Sequence, residues 1–466
     1  MAANMFFSRD SKVFLYINDD RYEIPVLDGF SFSQATNASE ITLSEMSTSD
    51  GTSRRGRQMF NDSFAPAEWS FSTYARPFKA GASGNYTQND HHAVEEILWG
   101  MMVGTGGSST VSGAVATVTA TPATGGGTGY VAGTDVASAT LGTTTSGDGI
   151  GAAITLTRAS GNTLTASVVA SDKGSNYETF DKLFVSNTDI KNAFNLSATP
   201  ASNIAVTIAS VGTSTQDIQG LSSDANALTI SFANSNKSTL GTADIYFQLG
   251  GGVESGTKIY KVAGCVLNEA GLDFDIEGIA QINWSGMGTI ISEVDSLPAV
   301  SGTAYDDEIS GTDNFIRNRL TSLDINEVSG STYSVVLTGG SVTISNNITF
   351  ITPETLGVVN QPLGHVTGTR TVGGSFTCYL NSDAGSSAKL FKNLIEKTTD
   401  INNQFNLEFS IGGKNSTPKV LLDMNNCHLE VPTHSIEDVI SLETNFHSLP
   451  STIDGTDELV VKYTGK

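Results

Sequence analysis

The sequence predicts an all-β-dominated chain: two tandem copies of one β-rich unit, each with a flanking α-helix, and a small β-domain inserted in the first copy. Three observations lead there. The chain is low in charge and rich in Gly, Ser, Thr and Asn, with 11 prolines in 466 residues, and many short runs alternate apolar with polar residues, as half-buried strands do. The stretch "IYFQLGG" at 245–251 returns as "LEFSIGG" at 407–413, the same strand stopped by the same two glycines. The segments around these stretches also recur in the same order, the mark of an internal repeat.

In chain order, "LDGFSFSQATNASEITLSE" (27–45) is matched by "LTGGSVTISNNITFITPE" (337–354). Phe30 and Phe32 are set against Val342 and Ile344, apolar residues two apart on a strand. Next, "WSFSTY" (69–74) and "GSFTCY" (374–379) each carry an aromatic pair, Phe71 with Tyr74 and Phe376 with Tyr379. A helix is expected after each. Val94, Ile97, Leu98 and Met101 in "HHAVEEILWGMM" and Leu390, Phe391, Leu394 and Ile395 in "SSAKLFKNLIEK" form apolar stripes. Asp90 and Ser386 or Ser387 are the expected N-caps. The double-glycine strand follows, then a strand around a cysteine, "AGCVLNE" and "NNCHLEV", and last "DIEGIAQINWSG" against "SIEDVISLETNF".

From the aromatic strand to the double glycine, the first copy is roughly 140 residues longer than the second, an excess of domain size. It opens with "GTGGSSTVSGAVATVTATPATGGGTGYVAGTDV", low in charge and aromatics, and continues through strand-like runs such as "AAITLTRA", "TLTASVVAS" and "NIAVTIAS". This reads as a small β-domain placed in a surface loop, where insertions are cheap. The rival reading is a structureless linker. The expected boundaries are 1–104 and 223–300 for the first unit, 105–222 for the insert and 301–466 for the second unit.

Several function classes drop out. The early charges of "MAANMFFSRDSKVFLYIND" argue against a secretory leader, and no stretch approaches the roughly 20 apolar residues of a membrane helix. The expectation is a soluble chain made in a cytoplasm, with no membrane insertion. A net charge of −23 repels nucleic acid. Cys265, Cys378 and Cys427 are too few and scattered for a disulfide framework or a zinc site and read as small core residues. The glycine-rich "GGGTGY" lacks the Lys-Ser/Thr of a phosphate loop, the histidines make no metal pattern, and there is no G-x-S-x-G elbow. No catalytic residue, cofactor or metal site is expected, and the chain does not read as an enzyme.

Two clusters remain. In "LDFDIEG", Asp273, Asp275 and Glu277 alternate with Leu272, Phe274 and Ile276, so on a strand the carboxylates share one face. That face could be solvated, could hold calcium or a glycosidase pair, or could line a water-filled passage. In "SRRGRQMF", Arg54, Arg55 and Arg57 lie in a long Ser/Asp/Gly-rich loop before Phe60 and Phe64. Without interleaved aromatics they make a weak nucleic-acid footprint. A cationic loop on an anionic body suits docking onto another copy of that body.

The run "RRGRQMFNDSFAPAEWSFSTYARPFK" (54–79) resembles the tail tube proteins of long-tailed bacteriophages, and more narrowly those whose single chain carries two tube domains. So do "GGSVTISNNITFITPE" (339–354) followed by "GSFTCYLN", "FIRNRLTSLDI" (315–325) and "DFDIEGIAQINWSG" (273–286). The likeness covers most of the chain outside 105–217. It implies a repeated β-barrel or sandwich with a helix beside it. It implies trimeric rings, six tube domains in pseudo-six-fold array, stacked into a hollow virion tail tube assembled in the host cytoplasm. Implied partners are further copies of the chain, tape measure protein and transiting DNA in the lumen, and tail tip or baseplate and terminator proteins at the ends. On that reading Asp273, Asp275 and Glu277 would face the lumen. Arg54, Arg55, Arg57, Phe60 and Phe64 would reach the next ring, and the insert would point outward, which favours a tail without a contractile sheath. The alternative is a cell-surface or tail-fibre β protein that binds glycans through the insert.

Overall fold

The computed structural model describes residues 6–17, 19–40, 58–81, 85–86, 89–103, 110–119, 137–142, 144–145, 150–159, 163–175, 182–194, 204–215, 221–223, 225–232, 240–250, 256–300, 302–305, 314–327, 330, 332–353, 359–383, 385–396, 404–453 and 455–466. The chain divides into two compact units, residues 1–108 with 217–466, and residues 109–216.

The larger unit opens with β1 (Lys12–Ile17), β2 (Asp20–Ile24), β3 (Ser31–Ser33), β4 (Thr36–Glu40), β5 (Met59–Phe64), β6 (Ala67–Tyr74), β7 (Pro77–Lys79), β8 (His91–Ala93) and α1 (Glu96–Val103). The smaller unit holds β9 (Thr110–Val118), β10 (Ala137–Gly142), β11 (Thr144–Thr145), β12 (Ile150–Ala159), β13 (Thr163–Ser175), β14 (Lys182–Val185), α2 (Asn187–Ala193) and β15 (Ile204–Thr215). Its sheets run β10-β12-β13 and β11-β14-β15-β9. Ile154, Leu156, Leu183, Val185, Ile190, Val206 and Ile208 close a core of its own, which a structureless linker lacks.

The chain then returns through β16 (Leu221–Ser223), β17 (Leu228–Ser231), β18 (Ala243–Leu249), the long β19 (Lys258–Asp275), β20 (Gln281–Gly288), β21 (Ile290–Val294) and β22 (Ala304–Tyr305). The second half follows with β23 (Ser322–Glu327), β24 (Thr332–Ser334), β25 (Leu337–Ser345), β26 (Thr349–Ile351), β27 (Gly364–Val366), β28 (Thr371–Tyr379) and α3 (Ser387–Glu396). It ends with β29 (Phe405–Ile411), β30 (Lys419–Leu429), β31 (Thr433–Ser435), β32 (Ser441–Ser448) and β33 (Val460–Thr464). The chain is dominated by strands, as its alternating runs predict.

The two halves of the larger unit pair their strands in the same order. In the first half the neighbours run β2-β1-β18-β19-β20-β6-β3, with β21 on the free side of β19. In the second they run β24-β23-β29-β30-β32-β28-β25, with β33 on the free side of β30. Registers agree residue by residue. Phe247 lies opposite Val13 and Tyr260, and Phe409 lies opposite Leu323 and Leu422. Cys265 and Cys427 occupy the same place, both fully buried.

Each double glycine ends its strand for one reason. Gly250 and Gly412 take φ of +76° and +93°. A side chain from just before the first strand of its half, Phe6 or Ile316, leaves no room for a Cβ.

Sequence similarity between the halves is hidden where volume moves across a pair. Trp69 faces Gly286 in the first half, while Gly374 faces Phe446 in the second. The same slot in the core is filled from one strand or from its neighbour.

Two expectations are corrected. Phe32, opposite Trp69, corresponds to Val342, opposite Gly374, so Phe30 and Phe32 match Gly340 and Val342, two residues from the expected alignment. A slip of two keeps every side chain on its face, so alternation cannot detect it. The first helix starts at Glu96. His91–Ala93 instead pairs with Pro77–Lys79 as a strand, so Asp90 caps nothing. At the start of α3, Ser387 Oγ donates to the Tyr379 carbonyl at the end of β28, and Ser386 Oγ, one residue before the helix, to the Asn381 carbonyl in the turn between them.

Candidate assembly surfaces

Four features of the larger unit bear on function: a pair of hairpins, a polar sheet face, an edge-to-edge joint between the halves, and a buried polar cluster. The stretch holding the arginines is flanked by an antiparallel hairpin, β4 against β5, with Thr36 opposite Phe64 and Glu40 opposite Met59. Arg54, Arg55 and Arg57 fall between these strands and outside the described residues. Met59 and Phe60 are each 58% exposed. Phe64 is half-buried, and its N–H donates to the Asn360 carbonyl at 2.8 Å. Asn360 lies in the connection of a matching hairpin of the second half, β26 against β27, which exposes Ile351, Leu363 and Val366. The two hairpins touch at Ser63 and Asn360. Arg370, beyond the second hairpin, turns inward, with Nη1 3.8 Å from Glu458 and its guanidinium over Phe232.

The carboxylates of "LDFDIEG" separate. Asp273 and Asp275 are exposed on one face of β19, and Asn283 Nδ2 donates to Asp273. The strand ends at Asp275, whose Oδ1 accepts from the Gly278 N–H, and Glu277 lies exposed in the bend that follows. The polar face continues across β3, β6, β20, β25, β28, β32 and β31. Glu68, Glu269, Asp273, Asp275 and Glu443 are exposed on these strands, and from β19's Val266 onward none of them carries Lys or Arg. No group of three His, Cys, Asp or Glu among the described residues could hold a metal ion.

That face is continuous because the halves join edge to edge. The end of β19 pairs antiparallel with β25, from Glu269 opposite Ser345 to Asp275 opposite Gly339. Phe274, 5% exposed, lies against Phe409 at 5.4 Å, and Gly340 makes room for it. A second strip adds to the joint: the Ala280 N–H donates to the Ile316 carbonyl and the Asn318 N–H to the Gly278 carbonyl.

The polar cluster beneath α1 leaves no mark in the sequence pattern. Glu95 is 1% exposed, and both of its carboxylate oxygens accept from the Arg76 N–H, at 3.2 and 3.3 Å. Burial pushes the Glu95 carboxyl up to about 7, against the opposing pull of its hydrogen bonds and of Arg76. Desolvation also lowers the Arg76 guanidinium from its ordinary value. Trp99 Nε1 donates to Tyr463 Oη at 2.7 Å, and the Gly465 N–H to His91 Nδ1 at 2.9 Å, so this cluster fastens β33 into the first half. Burial raises the thiols of Cys378 and Cys427 to about 11 and about 12 and that of Cys265 well above its usual value, which leaves all three unreactive.

No protein-family model matches the chain. Tail tube protein pb6 of Escherichia phage T5 is 34% identical to it over 208 residues, 43% of this chain. The chain matches 45% of that relative's length, less than half. This chain is thus a sequence relative of a phage tail tube protein, as the resemblance implies.

Proposed function

We propose that the chain is a structural subunit of a phage tail tube. Three copies close a ring of six tube domains, rings stack, and the hollow tube carries DNA towards the host. The observation that carries this reading is the strand order common to the two halves, joined through β19 and β25 into one continuous sheet. A unit that joins its own copy edge to edge within a chain is suited to the same joint between chains.

The polar face of that sheet supports its use as the bore. Exposed carboxylates without Lys or Arg give DNA nothing to grip, whereas a cationic wall would bind phosphate in a salt-dependent way. Screening acts over about 8–10 Å at physiological salt, so wall charges reach DNA in a narrow pore. The exposed Met59 and Phe60 on one hairpin, and Ile351 and Leu363 on the other, suit contact with the next ring. Tape measure protein would occupy the lumen during assembly, with tip or baseplate and terminator proteins at the ends.

Electron microscopy of the purified chain tests the proposal. Hollow tubes with a regular axial repeat are expected. Particles that never associate, or trimeric spikes, would overturn it and favour a glycan-binding fibre.

A further inference from the structure

The equivalence of the two halves assigns the intermolecular joint, and this assignment rests on the tube reading above. Each half has a strand that plays the part of β19 and one that plays the part of β25. Within the chain, the end of β19 takes β25. The corresponding edges at the two ends of the molecule are left over. In the second half, the segment equivalent to the end of β19 is β31, since Ser435 lies opposite Ser441 as Asp273 lies opposite Gln281. Among the described residues β31 pairs with β32 alone. In the first half, the strand equivalent to β25 is β3, which pairs with β6 alone among the described residues.

The geometry points to antiparallel pairing of β31 of one molecule with β3 of the next, in the register of the internal joint: Thr433 opposite Ser33, His434 opposite Phe32, Ser435 opposite Ser31. The partner is a second copy of this chain. Pro432, without an N–H, sits just before β31 and limits the ladder on that side.

Burial supports the assignment. Positions that the internal joint covers are bare at the free edges. Phe274 is 5% exposed, and its equivalent Ile436 is 79% exposed. Ile316 is 1% exposed, and its equivalent Phe6 is 44% exposed. Ala280 is 3% exposed, and its equivalent Ile440 is 37% exposed. The second strip of the joint is therefore repeated too, with Ile440 meeting the segment at Phe6 of the next molecule.

Volume supports it independently. In the internal joint a large residue, Phe274, is matched by Gly340 across the ladder. At the free edges the smaller Ile436 would be matched by Phe30. Phe30 already lies 5.6 Å from Phe247, the equivalent of Phe409. The slot filled from β19 in the internal joint is filled from β3 in the proposed one.

Disulfide trapping tests the register. Ser31→Cys with Ser435→Cys places one thiol on each edge, directly opposite, and the three natural cysteines are buried. Mild oxidation of assembled protein should give covalent oligomers, with none from either single variant. Asp273→Cys with Ser341→Cys, the equivalent pair within one chain, is the geometric control and should close internally. If tubes form and the control closes but Ser31→Cys/Ser435→Cys does not cross-link, the edge assignment is wrong and the tube reading stands. If the unmodified chain never assembles, the tube reading itself fails. Ile436→Asp gives a second readout: with Ile436 solvent-exposed in the free chain, the variant should keep its fold by circular dichroism yet lose assembly. Undiminished assembly would overturn the proposal.

Discussion

Glu95 makes a pH dependence that can be worked out from its surroundings. Its carboxyl is 1% exposed and is raised from 4.5 to about 7, chiefly by desolvation. A tenfold change in proton affinity is about 1.4 kcal/mol, so the folded state holds this proton more tightly than the unfolded chain by about 3 kcal/mol. Between the two values the folded protein binds more protons, so stability falls as pH rises. The contribution is complete below pH 4.5 and gone above about 7. Glu95→Gln keeps the shape and an acceptor for the Arg76 N–H but carries no charge. The neighbouring Glu96, with His92 at 3.0 Å, and His91 are present in both proteins. All three tryptophans, Trp69, Trp99 and Trp284, lie in the first half of the larger unit, so their fluorescence reports the unfolding of this region. Urea titrations of both proteins at pH 5 and pH 8 should show the variant gaining about 2.5 kcal/mol on the natural protein over that interval, since part of the effect already falls between pH 4.5 and 5. Parallel pH profiles would refute burial of Glu95 as the source of its raised proton affinity.

Two further outcomes bear on assembly. Replacing Arg54, Arg55 and Arg57 with Glu, or Met59 and Phe60 with Ser, should leave rings that no longer stack, scored by negative-stain microscopy; normal tubes would remove the hairpin from the ring-to-ring contact. Asp273→Lys with Asp275→Lys should leave tubes intact but slow DNA passage, with an effect that weakens at high salt; unchanged ejection from particles carrying the variant would place this face outside the bore.

How far the sequence can be read depends on which physical signal each feature leaves. Strand alternation and the double-glycine turns are local, and both are visible, because Gly250 and Gly412 answer to a positive φ and to a side chain packed over them. The order of recurring segments is visible for the same reason. Register is not, since a slip of two residues preserves every face. It slips once at Phe30 and Phe32. It slips again where the bend after Asp273 has seven residues before Gln281, against five between Ser435 and Ser441. Nor is the first helix boundary visible. Val94 fits the helical stripe, but His91–Ala93 gains more from pairing with Pro77–Lys79 and from the contact of His91 with Gly465. Glu95 is hidden because a charged residue in an apolar helix reads as its solvent side.

The hardest features to see are those shared between positions. Trp69 with Gly286 and Gly374 with Phe446 are two dissimilar pairs in sequence and one filled slot in the sheet. The same holds across the joint, where Phe274 with Gly340 fills a volume that Ile436 with Phe30 would fill between molecules. Selection acting on that volume constrains the sum across the ladder and leaves each member free to change if its partner compensates. Two copies of one unit can therefore drift apart position by position while keeping the same edges, and in the proposed ring it is the edges, not the individual residues, that would have to be kept.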